Sequence, residues 1–181
     1  LPIPFFMRGH FLQNTRDVYT TWVLSKCSKE EELEFRVIHA PQMEKSKFKE
    51  LIDTSDTILF EETSLLILND LNMLDEFLKV LPKFSIIDSV FKKINLSTHE
   101  PISINGQVSG SILKAIQNNI EKLKLINDDE ANFFKYDYAL KDKEGLLLTD
   151  DLYLTWFIQE KNPNILFGNV FNILEFLYDK D

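Results

Sequence analysis

The feature that most constrains this chain is a set of very short apolar runs, broken only by Ser85 in the second: Ile58-Leu59-Phe60, Phe84 with Ile86-Ile87, and Leu146-Leu147-Leu148. They are too short for helices, and no polar residue alternates along them as it would in a strand with one wet face. Such runs fit central parallel strands covered by helices on both faces. Between them lie helical patterns. Thr63 or Ser64 is placed to cap a helix carrying Leu65, Leu66 and Leu68, and a second helical stretch runs from Leu71 to Val80 ahead of Pro82. Asp88 or Ser89 is expected to cap a helix through Ile94. After a polar loop from Asn95 to Gly110, Ser111 caps a helix with Ile112, Ala115, Ile116, Ile120 and Leu123 on one face. Asn132 to Lys143 reads as another helix, stopped by Gly145. LYLTWFIQEK follows as a helix up to Asn162-Pro163, then Ile165 to Phe167, then a closing helix from Val170 to Tyr178. Strands of a few residues alternating with helices predict an α/β/α sandwich with a mainly parallel sheet.

Ahead of this unit, Val18 with Trp22 and Tyr19 with Val23 recur at helical spacing and predict a helix over 15–25; MEKSKFKELIDTS predicts a short amphipathic helix ending near Thr54. The expected organisation is a helical N-terminal extension over 1–55 and an α/β domain over 56–181. The opening LPIPFFMRGHFLQ has neither the basic start nor the small-residue cleavage site of a signal peptide, so a processed chain or a piece of a larger protein is expected. No run approaches the roughly 18 apolar residues needed to span a bilayer, and no membrane partner is expected.

Composition excludes several chemistries. The single cysteine, Cys27, rules out an intrachain disulfide and a multi-cysteine zinc site, and predicts a reducing, intracellular (cytoplasmic) setting. A formal charge of −9 argues against a broad electrostatic grip on phosphate backbones. Five glycines leave room for neither G-x-G-x-x-G nor G-x-x-x-x-G-K. His10, His39 and His99 share no ligand spacing. Trp22 and Trp156 fall in apolar helical patterns and are expected in the core, and Lys45, Lys47 and Lys49 read as a solvated helix face.

What remains is carboxylate chemistry. In an open parallel sheet, sites form beyond the carboxyl ends of the strands. Glu61 and Glu62 close the first apolar run, Asp150 and Asp151 close the run in GLLLTDD, and Asp137 lies on the helix feeding it. Converging carboxylates without His or Cys suit a hard cation such as Mg²⁺ or Mn²⁺. The plain alternative is that Asp150 and Asp151 cap the next helix, and that Glu61 and Glu62 sit solvated at a helix start where the dipole favours them.

Three segments carry a family resemblance. ILFEETSLLIL is similar to the opening strand, acid and Thr/Ser of PIN domains, YDYAL to their later acid-bearing helix, and GLLLTDDLYL to the strand ending in T-[ND]-D. The final GNVFNILEFL is similar to the closing strand and helix, and the resemblance covers about 56–181. It implies a PIN-like fold and Mg²⁺- or Mn²⁺-dependent RNA hydrolysis, with Glu62, Asp137 and Asp151 as metal ligands and Asp150 as a helper. Glu62 stands where the family usually has Asp, and Lys92 and Lys93 stand where a further acid is usual. The same resemblance allows a catalytically inactive module that binds RNA or protein within a larger assembly.

Overall fold

The computed structural model describes residues 40–128, 135–140 and 144–180. The helix expected over 15–25 lies outside them, as do Cys27, His10, His39 and Trp22. In chain order the elements are α1 (Lys45–Thr54), β1 (Ile58–Phe60), α2 (Glu62–Asp70), α3 (Leu74–Val80), β2 (Phe84–Ile87), α4 (Asp88–Ser97), α5 (Ile104–Gln117), a 3₁₀ turn (Ile120–Lys122), β3 (Leu123–Ile126), α6 (Lys135–Leu140), β4 (Gly145–Leu148), α7 (Leu152–Lys161), β5 (Ile165–Gly168) and α8 (Val170–Tyr178).

All neighbouring strands pair in parallel, in the order β3-β2-β1-β4-β5. These apolar runs are the reason. Every residue of β1 and β2, and Leu146, Leu147 and Leu148 of β4, is buried. Burying each such Leu, Ile or Phe contributes roughly 1.5–3 kcal/mol, so these segments are stable only at the centre of the sheet. The winding runs from β1 outward to β3, then returns across the sheet to β4 and β5. Right-handed crossovers place the helices of the two directions on opposite faces. The contacts agree, since α6 packs on α7 while α2 packs on α3, α5 and α8, an arrangement compatible with a three-layer sandwich.

A chain of edge-to-face rings joins the sheet to its helices. Phe84 meets Phe60 with ring centres 6.1 Å apart, Phe60 meets Phe77 at 5.9 Å, Phe77 meets Phe176 at 6.1 Å and Phe176 meets Phe48 at 6.2 Å. Such T-shaped pairs add to the energy of burial alone. Phe48 belongs to α1, so that helix shares the core of the sheet domain through Phe48 and Ile52. Its other side, with Lys45, Lys47 and Lys49, is exposed as expected.

Four local expectations are corrected. Leu123 belongs to strand β3 and not to the preceding helix, because Asn118-Asn119 ends α5 and Leu123-Lys124-Leu125-Ile126 pairs with β2 at the sheet edge. Helix α5 starts at Ile104, capped by the Ser103 hydroxyl, so part of the expected loop is helical. Helix α4 begins at Asp88 with Ile87 before it, and Asp88 pairs with Lys92 one turn on at 2.8 Å. Trp156 is 55% exposed and rests edge-on against Tyr153, because α7 turns Leu154, Thr155 and Ile158 inward instead.

Candidate functional site: a buried acidic cluster at the switch point

The winding direction reverses at β1 and β4, and the carboxyl ends of these paired strands form the topological switch point where open parallel sheets bind ligands. Register fixes what meets there. Phe60 pairs with Leu148, so the segments beginning at Glu61 and at Thr149 emerge side by side, and the Glu61 amide extends the ladder by donating to Leu148 O at 2.9 Å. Glu61, Glu62, Asp150 and Asp151 are all buried, a concentration of negative charge that a fold does not place in its interior without compensation.

Glu61 is the N-cap of α2, a role expected for Thr63 or Ser64. Its Oε2 accepts from the Thr63 amide at 2.9 Å, from the Thr63 hydroxyl and from the Thr149 hydroxyl at 3.2 Å, while Oε1 is buried with no partner. Burial pushes this carboxyl up to about 8; the Thr63 hydroxyl bond opposes the shift, and the nearby charges of Glu62 and Asp151 add to it. At neutral pH it is mainly the neutral acid.

Glu62 is offset differently. Its Oε2 receives the Lys135 ammonium at 2.5 Å and the Tyr136 hydroxyl at 3.2 Å, and the Lys93 ammonium lies 3.9 Å from Oε1. Burial alone would raise its pKa, but the charges of Lys135 and Lys93 and the bonds from Lys135 and Tyr136 outweigh that, leaving the carboxyl below its ordinary value. Burial, with Glu62 and Glu61 nearby, raises the Tyr136 hydroxyl well above its usual range, so it stays a donor. Glu62 Oε1 has no hydrogen bond.

The T-D-D stretch divides its labour. Asp151 caps α7, its Oδ1 accepting from the Tyr153 and Leu154 amides at 3.0 and 3.3 Å, and its own amide donates to the Thr149 hydroxyl at 3.1 Å. Asp150 reaches two other elements. Oδ2 accepts from the Ser64 hydroxyl at 3.3 Å and Oδ1 from the Val170 amide at 3.2 Å. The capping role set beside the metal role in the sequence is therefore present for Asp151. Asp137 stands apart from this network: it is partly exposed on α6 and paired with Lys161 of α7 at 2.9 Å.

Of the five acids singled out by sequence, Glu61, Glu62, Asp150 and Asp151 are gathered at the switch point and Asp137 is not. Thr149, Tyr136, Lys93 and Lys135 complete the cluster. Lys135 and Tyr136 adjoin Asp137 in the segment read as a helix, but nothing in a helical pattern shows that they would turn onto a carboxylate 73 and 74 positions earlier. No three His, Cys, Asp or Glu groups among the described residues come together as a ready-made cation site. Among the described residues no helix is long and apolar enough to cross a membrane.

The fold and site together define a five-stranded, all-parallel α/β domain with a buried acidic switch point. In comparisons with known proteins, no family model, curated protein or solved structure matches the chain.

Proposed function

We propose that the chain is a PIN-like domain that hydrolyses RNA phosphodiester bonds with Mg²⁺ or Mn²⁺. The observation that carries this reading is the pair of buried carboxyl oxygens at the switch point that accept no hydrogen bond, Glu61 Oε1 and Glu62 Oε1, beside Asp150 and Asp151. Orphaned buried acceptors are costly in any fold, and a hard cation is the ligand that satisfies carboxylate oxygens. Glu62 and Asp151 would hold the ion, with Asp150 beside them and Asp137, released from Lys161, as the third ligand. When bound, a divalent cation supplies an acidified water and neutralises charge on a phosphodiester. The protein's own groups do the remaining work. Thr63 and Thr149 fix Glu61, Tyr136 orients Glu62, and Lys93 and Lys135 bring positive charge to a site in an otherwise acidic chain.

The test is cleavage of a single-stranded RNA in Mn²⁺ by the wild type and by Asp151→Asn, with Mn²⁺ binding measured by calorimetry. Cleavage that depends on both Mn²⁺ and Asp151 supports the reading; cleavage equal in the two proteins, or none, overturns it.

A second reading has its own observation. Lys135 and Lys93 already neutralise Glu62, and Lys161 neutralises Asp137, the pattern of a PIN-like module that has exchanged its cation for lysines and serves as an RNA- or protein-binding unit. Absence of Mn²⁺ binding in the calorimeter, with the fold intact, favours this alternative.

A further inference from the structure

The chain enters the described structure at Ala40 and runs over the carboxyl end of β4 and β5 before α1 begins. Four hydrogen bonds hold this stretch. The Ala40 amide donates to Asp150 O at 3.0 Å, and Asn169 Nδ2 donates to Ala40 O at 2.7 Å. The Met43 amide donates to Asn172 Oδ1 at 3.1 Å, and Asn172 Nδ2 donates to Met43 O at 2.7 Å. Asn169 and Asn172 are both buried, and each also serves the capping box of α8, in which each accepts from the other's amide. Two asparagines thus use their acceptors for a helix start and their amide donors for a strap of four residues, and the Asn172 acceptor also takes the strap's Met43 amide. Farther out, Gln42 bonds Glu175 and Lys45 pairs with Asp179.

The residue that the strap holds by its main chain is Asp150, whose side chain is fixed from the other direction by Val170, the first residue of α8. We infer that Asn169 is a positioning residue: by clamping the Ala40–Met43 strap onto the start of α8, it holds the Thr149–Asp151 loop in place and couples that strap to the acidic switch point. The metal-binding part of this inference rests on the function proposed above; the coupling of strap to loop does not.

Ordinary capping does not require this arrangement, since Ser or Asp in place of Asn169 would cap α8 equally well. Asn169 does both at once through separate atoms, Oδ1 accepting from the Asn172 amide and Nδ2 donating to Ala40 O; Asp has no donor, and the Ser hydroxyl is shorter.

The experiment uses the full chain with Asn169→Asp, which keeps a cap acceptor and has no donor, and Asn169→Ser, which keeps a cap acceptor and draws its single hydroxyl back from Ala40 O by the length of the amide arm. Ser adds no charge, so it decides the matter if the carboxylate of Asp prevents folding. Amide exchange is followed over 40–43 and 149–151, and Mn²⁺ affinity is measured by calorimetry. The expected result is faster exchange in both segments together, a melting temperature close to that of the wild type, and Mn²⁺ affinity about tenfold weaker, as for loss of a group supporting a metal ligand. Faster exchange over 40–43 with 149–151 unchanged overturns the inference. If the wild type binds no Mn²⁺, the proposed hydrolase fails while the exchange data still decide the coupling.

Discussion

Tyr136 and Glu62 are joined twice: the Glu62 amide donates to the Tyr136 hydroxyl at 3.1 Å, and that hydroxyl donates to Glu62 Oε2 at 3.2 Å. One buried phenol therefore satisfies the first-turn amide of α2 and the carboxylate of the same residue. Tyr136→Phe leaves the amide without an acceptor and the carboxylate with one donor fewer. The expected loss is roughly 1–3 kcal/mol of stability at pH 7, read from urea midpoints. A loss below a few tenths would show that water replaces the hydroxyl.

Glu61 makes stability depend on pH with a definite sign. Its folded pKa is about 8 against an ordinary 4.5, so between those values the folded state keeps a proton that the unfolded state releases. The contribution is complete below pH 4.5 and is lost as pH rises through 8. Glu62, whose folded pKa is lowered, contributes above pH 4.5 and loses that contribution in acid. Glu61→Gln should leave stability near pH 5 unchanged and raise it at pH 8 by an amount on the order of a few kcal/mol. Melting curves from pH 5 to 9 that run parallel for the two proteins would exclude this account.

Lys135 competes with any cation for Glu62. If the hydrolase reading holds, Lys135→Met should tighten Mn²⁺ binding several-fold, since it removes a like charge from beside the ligand, while lowering stability in metal-free buffer. Calorimetry and metal-free melting together test this, and weaker Mn²⁺ binding in the variant would contradict it.

Gly168 lies under an aromatic ring, and a Cβ there would stand 2.4 Å from Phe48 Cε2. Gly168→Ala is expected to cost about 1–3 kcal/mol by overpacking, with partial recovery in the double variant with Phe48→Leu, which withdraws the ring edge. Additive losses in the double-mutant cycle would mean that the clash is relieved elsewhere.

The legible parts of this fold were those with local punctuation. Helix α7 matches its reading because Asp151 and Asn162-Pro163 bracket it, and the ends of α8 match likewise. Strand β3 was hidden because Ile116, Ile120 and Leu123 continue a helical period, while Lys124 and Leu125 are exposed at an edge that needs little apolar character. The cap of α2 differs from its reading because Thr and Ser outrank Glu by preference, whereas Glu61 takes the position through bonds from Thr63 joined by one from Thr149 across the switch point. Carboxylates at strand ends could be read from sequence, and Lys93 was marked by standing where the resembled family usually has an acid; Lys135 and Tyr136 answer Glu62 from a distant helix and could not be read. Trp156 shows the reverse failure: apolar patterning placed inward a ring that α7 leaves exposed.

The sheet order has a consequence for how the chain is made. β1 is its central strand, yet one of its two neighbours, β4, arrives only at Gly145–Leu148. Until that segment has left the ribosome, β1 keeps one hydrogen-bonding edge bare and the switch point has only one wall. Pairings so distant in sequence slow folding, and an open apolar edge invites misassociation meanwhile. The acids that follow β1 and β4 therefore meet only once β4 has paired with β1, so the integrity of the acidic cluster reports that long-range pairing.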